Sequence, residues 1–312
     1  MDTPVVDVPV PVVDATAGGT AQPLRRPPWI RVRLAAGENY GAVRTLMRGQ
    51  SLHTICEEAH CPNIGECWER RTATFLILGD ICTRGCRFCA VSKGKPTTLD
   101  WDEPERLAQA VETMKLRYVV VTSVDRDDLP DGGAAIFALT IERIRARKPD
   151  CGIEVLVPDF QGKEEAIATV MKARPDVFNH NLETVPRLYR RARPGSRYPR
   201  SLEVLRYAKS LDSTVLTKTG LMVGLGETWD ELLQVMADAR LNNVDILTIG
   251  QYLRPSSWHL PVERYYTPEE FAELKAEGLR MGYRHVESGP LVRSSYHADS
   301  QVEGSLMHKQ SS

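Results

Sequence analysis

From residue 73 onward, short β-branched runs alternate with longer amphipathic stretches, and this rhythm restricts the fold more than any other feature of the sequence. Runs such as Tyr118–Ser123 are apolar on both faces, as in parallel strands that helices cover on either side. Repeated βα units with right-handed crossovers form either a doubly wound sheet or a barrel. Six such units favour an α/β fold built on a partial (βα)6 TIM-type barrel over a full eight-stranded one.

The same rhythm predicts where the elements lie. The predicted strands are 73–78, 118–123, 153–158, 177–182, 215–223 and 246–252. The predicted helices of the barrel are 104–114, 134–148, 163–173, 201–211, 230–241 and 268–281. Before the barrel, one further helix is expected at 40–47.

Composition divides the chain into four segments. Residues 1–27 are rich in Val, Pro, Ala, Thr and Gly without a helical or strand period, which predicts a disordered tail. Residues 28–72 form an N-terminal extension and 73–284 the barrel. Residues 285–312 form a C-terminal segment, and its last part, from about residue 301, is expected to be flexible.

Charge and hydropathy argue against two classes of partner. The 40 Lys and Arg residues against 41 Asp and Glu give a net charge of −1, so no overall basic field favours nucleic acid. No segment approaches the roughly 18 consecutive apolar residues that span a bilayer. The N-terminus resembles neither a signal nor a transit peptide, and clustered cysteines favour a reducing compartment. We therefore expect a cytoplasmic protein.

Six of the seven cysteines fall into two closely spaced triads, Cys56-x4-Cys61-x5-Cys67 and Cys82-x3-Cys86-x2-Cys89. A structural zinc site normally has four protein ligands. A cubane [4Fe–4S] cluster has four irons, so three thiolates leave one iron open to a ligand other than cysteine. The triads therefore predict two clusters. A zinc knuckle or a Cys86-x2-Cys89 redox pair is the alternative for the second triad.

The second triad follows the first predicted strand, at the carboxyl end where barrel active sites form. Its pattern, C-x3-C-x-φ-C with Phe88 before the last cysteine, resembles the signature of the radical S-adenosylmethionine (SAM) superfamily. The resemblance implies that Cys82, Cys86 and Cys89 hold a [4Fe–4S] cluster whose open iron binds SAM. It also implies reductive cleavage of SAM to a 5′-deoxyadenosyl radical, with Phe88 among the cofactor-binding residues.

The first triad resembles the auxiliary-cluster element of the lipoyl synthase family. The run Arg293-Ser294-Ser295-Tyr296 resembles that family's R-S-S-Y motif, in which a serine oxygen binds the fourth iron. By the family pattern the ligand is Ser295 rather than Ser294. Serine is a harder and more labile ligand than a thiolate, which suits a cluster that is dismantled. Taken alone, the run is typical of a loop or a helix N-cap.

Three further segments resemble SAM-binding elements of the superfamily. Residues 220–227 fit the pattern G-x-I-x-G-x-x-E with Met for Ile, which implies that Gly224 and Glu227 lie beside the adenine; a turn after a strand is the alternative. Asn181 and Glu183 resemble the pair that binds the ribose, and a solvated strand end is the alternative. The acidic run at 122–133 resembles the element that binds the SAM amino group, but several carboxylates remain candidates.

Membership of the lipoyl synthase family would imply a radical SAM sulfurtransferase. Its reaction inserts sulfur at C6 and C8 of an octanoyl chain on a carrier-protein lysine, and it uses two SAM molecules and a sacrificial auxiliary cluster. The implied carriers are lipoyl domains of 2-oxoacid dehydrogenase complexes and the glycine-cleavage H protein. A flavodoxin or ferredoxin would supply electrons, and an iron–sulfur carrier would renew the auxiliary cluster.

Two other classes of protein remain as alternatives. One is another radical SAM enzyme with an auxiliary cluster, such as a biotin synthase-like sulfur inserter or a methylthiotransferase. The other is a two-cluster electron carrier, although ferredoxins use four cysteines per cluster on a much smaller chain.

Several polar residues receive a structural interpretation. Cys151 is expected to be a turn residue or a partly buried thiol, and Lys218 a salt-bridged lysine. We do not expect His60 or His180 to be cluster ligands. A basic run after the fourth strand is expected to be a solvated helix face, with a docking surface for an acidic carrier as the alternative; it comprises Arg187, Arg190, Arg191, Arg193 and Arg197.

Overall fold

The computed structural model describes residues 24–31, 38–59, 61–69, 73–96 and 98–307, and of residues 38 and 303–307 it describes the backbone alone. The tail predicted at 1–27 and His60 thus lie largely or wholly outside the described residues. Among the helices in these ranges, none combines the length and the apolarity that crossing a membrane requires.

The molecule is organised around one eight-stranded sheet. The strands in chain order are β1 (His53–Thr54), β2 (Thr74–Ile77), β3 (Ile81–Cys82), β4 (Ser92–Lys93), β5 (Tyr118–Ser123), β6 (Gly152–Leu156), β7 (Val177–Asn179), β8 (Leu216–Val223), β9 (Ile246–Gln251) and β10 (His285–Gly289). β3 and β4 form a small separate sheet, and the other strands lie side by side in chain order with β1 and β10 at the edges. β1 runs antiparallel to β2, whereas the pairs from β2 to β10 are parallel. A mostly parallel sheet of this kind confirms the prediction of a partial barrel.

Helices follow the strands as the sequence predicts. They are α1 (Glu38–Gly49), α2 (Ile55–Glu58), α3 (Ile64–Glu69), α4 (Glu103–Thr113), α5 (Ala134–Arg147), α6 (Glu164–Lys172), α7 (Tyr189–Ala192), α8 (Tyr198–Leu211), α9 (Trp229–Leu241), α10 (Pro268–Arg280) and α11 (Ala298–Met307). Single 3₁₀ turns lie at Phe160–Gly162 and Pro186–Leu188. α9 and α10 each begin with a capping box, which satisfies free backbone N–H groups at the helix start.

The predicted strands and helices are all present, with ends shifted by a few residues, but the sheet is larger than predicted. β10 adds a seventh parallel strand at an edge, and its sequence, His285–Gly289, is polar and half-buried. An edge strand of this composition lacks the apolar run that marks the central strands. α11 also differs from the expectation, because residues 301–307 are helical where a flexible tail was predicted.

The strand side chains form a buried core, and one charged pair lies inside it. Phe75, Val121 and Ile153 are fully buried on neighbouring strands. Lys218 and Glu154 are also fully buried, with 2.9 Å between Nζ and Oε1, so the interpretation of Lys218 as a salt-bridged residue is confirmed. Burial without such pairing would be costly for either charge.

Candidate functional site

The cysteine loop leaves the carboxyl end of β2 and is closed by its own small sheet. β3 pairs with β4, placing Cys82 opposite Lys93, and the Gly94 amide donates to the Cys82 carbonyl at 3.0 Å. Cys86 and Cys89 lie in the loop between these strands, and all three thiols are free and partly buried. Burial raises the pKa of Cys89 most, and the charges of Cys86 and Cys82 raise it further, as expected for three thiols in one short loop.

Burial opposes ionisation of these thiols. It raises the pKa of Cys82 to about 11, with a further contribution from Asp125, and the pKa of Cys89 to about 12. A thiolate is therefore stable here only when a strong positive charge is bound beside it, as an iron cluster provides. No three potential ligands in the described ranges converge closely enough for a single ion. A cubane spreads its thiolates over separate irons and accepts this wider arrangement.

Asp125 is the carboxylate of the acidic run that faces the cysteine loop. Its Oδ2 lies 3.6 Å from Cys82 Sγ, and its amide donates to the same sulfur at 3.3 Å. Asp125 also pairs with Arg84, with 3.4 Å between Oδ1 and Nη1. Asp127 and Asp128 accept from arginines without contacting a cysteine sulfur, and Asp131 accepts from the amides that begin α5. Sequence reasoning left this choice open, because spacing alone does not give the direction of a side chain in a loop.

Arg84 fixes the cysteine loop to the barrel. Its guanidinium is buried and donates to both carboxylate oxygens of Asp127 at 2.7 Å and to Asp159 at 2.6 Å. Asp159 follows β6 and is itself buried, while Asp127 follows β5. A planar guanidinium suits this bridging between carboxylates. The sequence analysis did not single out Arg84, although its position between two cluster cysteines was a signal.

Asn181 and Glu183 lie just past the end of β7, as predicted. Asn181 Nδ2 donates to Glu183 Oε1 at 3.1 Å, and Glu183 adopts a left-handed conformation with φ of 68°. Burial raises the pKa of the Glu183 carboxyl, and the charge of Arg193 opposes this. Burial raises the pKa of Cys86, the charge of Arg193 opposes this, and the charges of Asp125 and Glu183 raise it further, as expected if the polar pair and the cysteine loop border the same site.

The segment after β8 is shaped by its own contacts. Gly224 has a φ of +96°, and a Cβ there would lie 2.2 Å from Gln251 Nε2, so only glycine fits. Glu227 accepts from the amides of Gly224 and Leu225 at 2.6 and 2.9 Å, so its carboxylate holds the turn. Phe88 packs against the apolar cluster that contains Leu225.

A second cavity brings the first cysteine triad together with the C-terminal motif. Cys56 lies on α2, Cys61 follows it, and Cys67 lies on α3. The lining of this small cavity comprises Cys56, Cys61, Asn63, Cys67, Thr74, Arg293, Ser295 and Tyr296. Burial raises the pKa of Cys56 to about 12 and also raises that of Cys61, which the Arg293 charge opposes. The three thiols, with the Ser295 hydroxyl among the hydroxyls of the lining, form a donor set that fits a second cluster.

The C-terminal segment reaches this cavity through contacts with the N-terminal extension. Asn63 Nδ2 donates to the Leu291 carbonyl at 2.7 Å, and the Tyr296 hydroxyl lies 3.4 Å from the Glu66 carboxylate. Ser294, in contrast, lies against Asn181 with 2.7 Å between Oγ and Nδ2. The two consecutive serines therefore border different sites.

The other candidates have structural surroundings. Cys151 is fully buried before β6, and His180 is held between the Val157 carbonyl and the Ser201 hydroxyl at 2.8 and 3.0 Å.

The basic run does not form one face, because its members differ in their surroundings. Arg187 and Arg191 pair with acidic residues, Arg193 is buried, and Arg190 and Arg197 are exposed.

Comparison with known proteins agrees with this arrangement. Residues 76–239 match the radical SAM superfamily, and residues 15–61 match the N-terminal domain of lipoyl synthase. The chain is 63% identical over 278 residues to the lipoyl synthase of Rubrobacter xylanophilus, covering 89% of this chain and 87% of that protein. It is 59% identical over 281 residues to that of Koribacter versatilis, covering 90% and 92%.

Solved structures show the same fold at low identity. SuiB from Streptococcus suis, bound to S-adenosylmethionine, matches with a TM-score of 0.55 and 10% identity over 73% of this chain and 54% of SuiB. Methylornithine synthase matches with a TM-score of 0.50 and 13% identity over 86% and 92%. The high identity and coverage of the curated relatives, together with the superfamily match over residues 76–239, show that the chain belongs to the lipoyl synthase family of the radical SAM superfamily.

Proposed function

We propose that this enzyme inserts two sulfur atoms, at C6 and C8, into an octanoyl group that is amide-linked to a lysine of a carrier protein. The observation that carries the proposal is the convergence of Cys56, Cys61, Cys67 and Ser295 on one cavity beside the SAM-type site. When bound, the cluster on Cys82, Cys86 and Cys89 would supply, together with SAM, a radical that removes hydrogen from unactivated C–H bonds. The auxiliary cluster would supply sulfur. No acid or base side chain can remove such a hydrogen.

The chain's own residues hold and orient these groups. Cys82, Cys86 and Cys89 would hold the catalytic cluster, and Asp125 beside Cys82 would accept hydrogen bonds from the SAM ammonium. Asn181 and Glu183 present an amide and a carboxylate suited to ribose hydroxyls. Gly224 and the turn held by Glu227 would lie beside the adenine, with Phe88 packed nearby.

The proposal extends to partners and place of action. Family membership implies an octanoylated carrier protein, and we propose lipoyl domains of 2-oxoacid dehydrogenases or the glycine-cleavage H protein. A flavodoxin or ferredoxin would supply electrons, and an iron–sulfur carrier would rebuild the auxiliary cluster after each turnover. The cysteines of both triads form no disulfide in this structure, which is compatible with the reducing cytoplasm that we propose.

The decisive experiment is an anaerobic single-turnover assay on protein reconstituted with iron and sulfide. The assay contains SAM, dithionite and an octanoyl-lysine peptide, and mass spectrometry follows the peptide. Wild type is expected to add two sulfurs, while Ser295→Ala forms 5′-deoxyadenosine with little sulfurated peptide. Cys151→Ala is the matched control, because its thiol lies outside both triads and its loss should leave sulfur insertion intact.

Each failure has a separate meaning. Formation of 5′-deoxyadenosine without sulfur transfer by the wild type would contradict sulfur insertion while leaving the radical SAM site in place. Absence of SAM cleavage by protein with both clusters would contradict the whole proposal. Equal sulfur transfer by Ser295→Ala would remove Ser295 from the ligand set.

A further inference from the structure

The R-S-S-Y segment lies between the two sites, and its consecutive residues border different ones. Arg293, Ser295 and Tyr296 line the cavity of the first cysteine triad. The Ser294 hydroxyl instead contacts Asn181, with Oγ 2.7 Å from Nδ2 and 3.0 Å from Oδ1. One peptide unit, about 3.8 Å between Cα atoms, therefore separates a contact with the SAM-type site from a donor of the auxiliary site.

Ser294 and a SAM ribose would use the same side chain. In this structure the amide of Asn181 is directed to the Ser294 hydroxyl and to Glu183 Oε1, at 3.1 Å. An asparagine side chain has two N–H donors and one carbonyl acceptor. Glu183 and the two hydroxyls of a ribose can together occupy all of these groups. Ribose hydroxyls at the Asn181–Glu183 pair would therefore compete with Ser294.

The surroundings leave little space to absorb a change at Asn181. A Cβ at Gly220 would lie 2.8 Å from Asn181 Oδ1 and 2.9 Å from Ser294 Oγ, so the pair sits directly on the β8 backbone. A Cβ at Gly250 would lie 2.0 Å from the Val292 carbonyl oxygen, so the segment is also close to β9 just before the motif. In such close packing a displaced side chain moves its neighbour rather than filling a void.

We propose that Ser294 couples SAM binding at Asn181 to the hold of Ser295 on the auxiliary-site iron; this inference rests on the proposed function. Without SAM, the Asn181–Ser294 hydrogen bond tethers the segment and keeps Ser295 in place. When the ribose engages Asn181, the tether is released and Ser295 leaves its iron more readily. The auxiliary cluster would thus become easier to dismantle only once SAM, the source of the radical, is bound. Ser294 acts as a positioning residue.

The test measures iron release to a chelator from protein with both clusters. Reductant is omitted so that SAM binds without cleavage, and equilibrium dialysis verifies that SAM is bound. The auxiliary phase of iron release is the phase that a Cys56→Ala variant lacks. In wild type, saturating SAM is expected to accelerate this phase about fivefold or more, the usual lower range of coupling between sites.

Variants on the tether separate coupling from general damage. Ser294→Ala is expected to release auxiliary iron at the SAM-loaded rate even without SAM, and to show no further response to it. Ser294→Thr keeps the hydroxyl and should keep the response. Thr248→Val is a matched control, because the Thr248 hydroxyl lies beside Gly220 but is directed to the Thr219 carbonyl. It should respond as wild type does.

Several results would overturn the coupling. The coupling is contradicted if wild-type protein binds SAM and its rate of auxiliary iron release does not change. It is also contradicted if Ser294→Ala responds to SAM as the wild type does. If Ser294→Ala fails to assemble the cluster, Asn181→Ser removes the same hydrogen bond from the other partner. Slow release of auxiliary iron from Asn181→Ser without SAM would contradict the role of this bond. A wild-type protein with no auxiliary phase at all would overturn the proposed function as well.

Discussion

The two cysteine sites are built in opposite ways. The catalytic triad lies in a single eight-residue loop, and buried ion pairs from Arg84 fix that loop to β5 and β6. The cavity proposed as the auxiliary site is lined by three cysteines of the N-terminal extension and by Ser295 from far along the chain, and hydrogen bonds such as Asn63 to Leu291 join the two parts. One site is therefore formed by local sequence and anchored by charge. The other depends on long-range docking.

The largest effect should come from removing one cysteine at each site. Cys82→Ala is expected to reduce 5′-deoxyadenosine formation to background, because SAM cleavage needs the cluster that this thiol helps to hold. Cys56→Ala should retain SAM cleavage and lose sulfur transfer, which separates the two halves of the reaction. Iron content, 5′-deoxyadenosine and sulfurated peptide are measured on both variants. Loss of SAM cleavage in Cys56→Ala, with the catalytic cluster intact, would show that the sites are not separable.

The next largest effect tests the anchor of the catalytic loop. Arg84→Gln takes one of two arginines from the buried Asp159 carboxylate, which keeps Arg200 at 3.2 Å. Breaking a buried pair typically costs about 3–5 kcal/mol, and we expect the lower end of this range because Arg200 remains. The free energy of unfolding in urea is the measurement. Arg206→Gln, which breaks an exposed ion pair with Glu203 on α8, is the control and should be nearly neutral. Equal stability of the two variants would contradict an ionic anchor.

A pH dependence should also come from the catalytic side of the barrel. Burial, with help from the Arg193 charge, lowers the pKa of His180 to about 4. Because the unfolded chain binds this proton from about pH 6.5 downward, the contribution is fully present above that pH and is lost as the pH falls toward 4. This shift in the pKa of His180 corresponds to about 3 kcal/mol of unfolding free energy, which is lost over that pH range. His180→Gln should flatten the decline in unfolding free energy over this window, and an unchanged decline would assign it to other groups.

The smallest effect tests the docking of the auxiliary site. Asn63→Ala removes the hydrogen bond to Leu291 and should cost about 1 kcal/mol of stability. Amide hydrogen exchange of residues 291–296 should nevertheless increase, because this contact holds the segment against the start of α3. Asn242→Ala, which loses a similar bond to a backbone carbonyl on α9, is the control. Unaltered exchange at 291–296 in Asn63→Ala would mean that other contacts hold the segment.

This contrast explains what the sequence could predict. The barrel strands and helices followed from periodicity, and the catalytic loop followed from a motif whose ligands are neighbours in the chain. β10 was missed because its edge position permits a polar sequence. The direction of Asp125 and the contact of Ser294 with Asn181, 113 residues apart, depend on tertiary packing that spacing does not encode.

The late position of Ser295 also affects the order in which the protein matures. Chains emerge from the ribosome N-terminus first, and domains begin to fold as they appear. The three cysteines of the first triad are made after only β1 of the sheet, whereas Ser295 is made after β10, the last strand described. A nascent chain that ends before residue 290 would have the loop from Cys82 to Cys89 complete and the cavity of the first triad open on one side. Under the proposed function, loading of the auxiliary cluster would therefore wait for completion of the sheet.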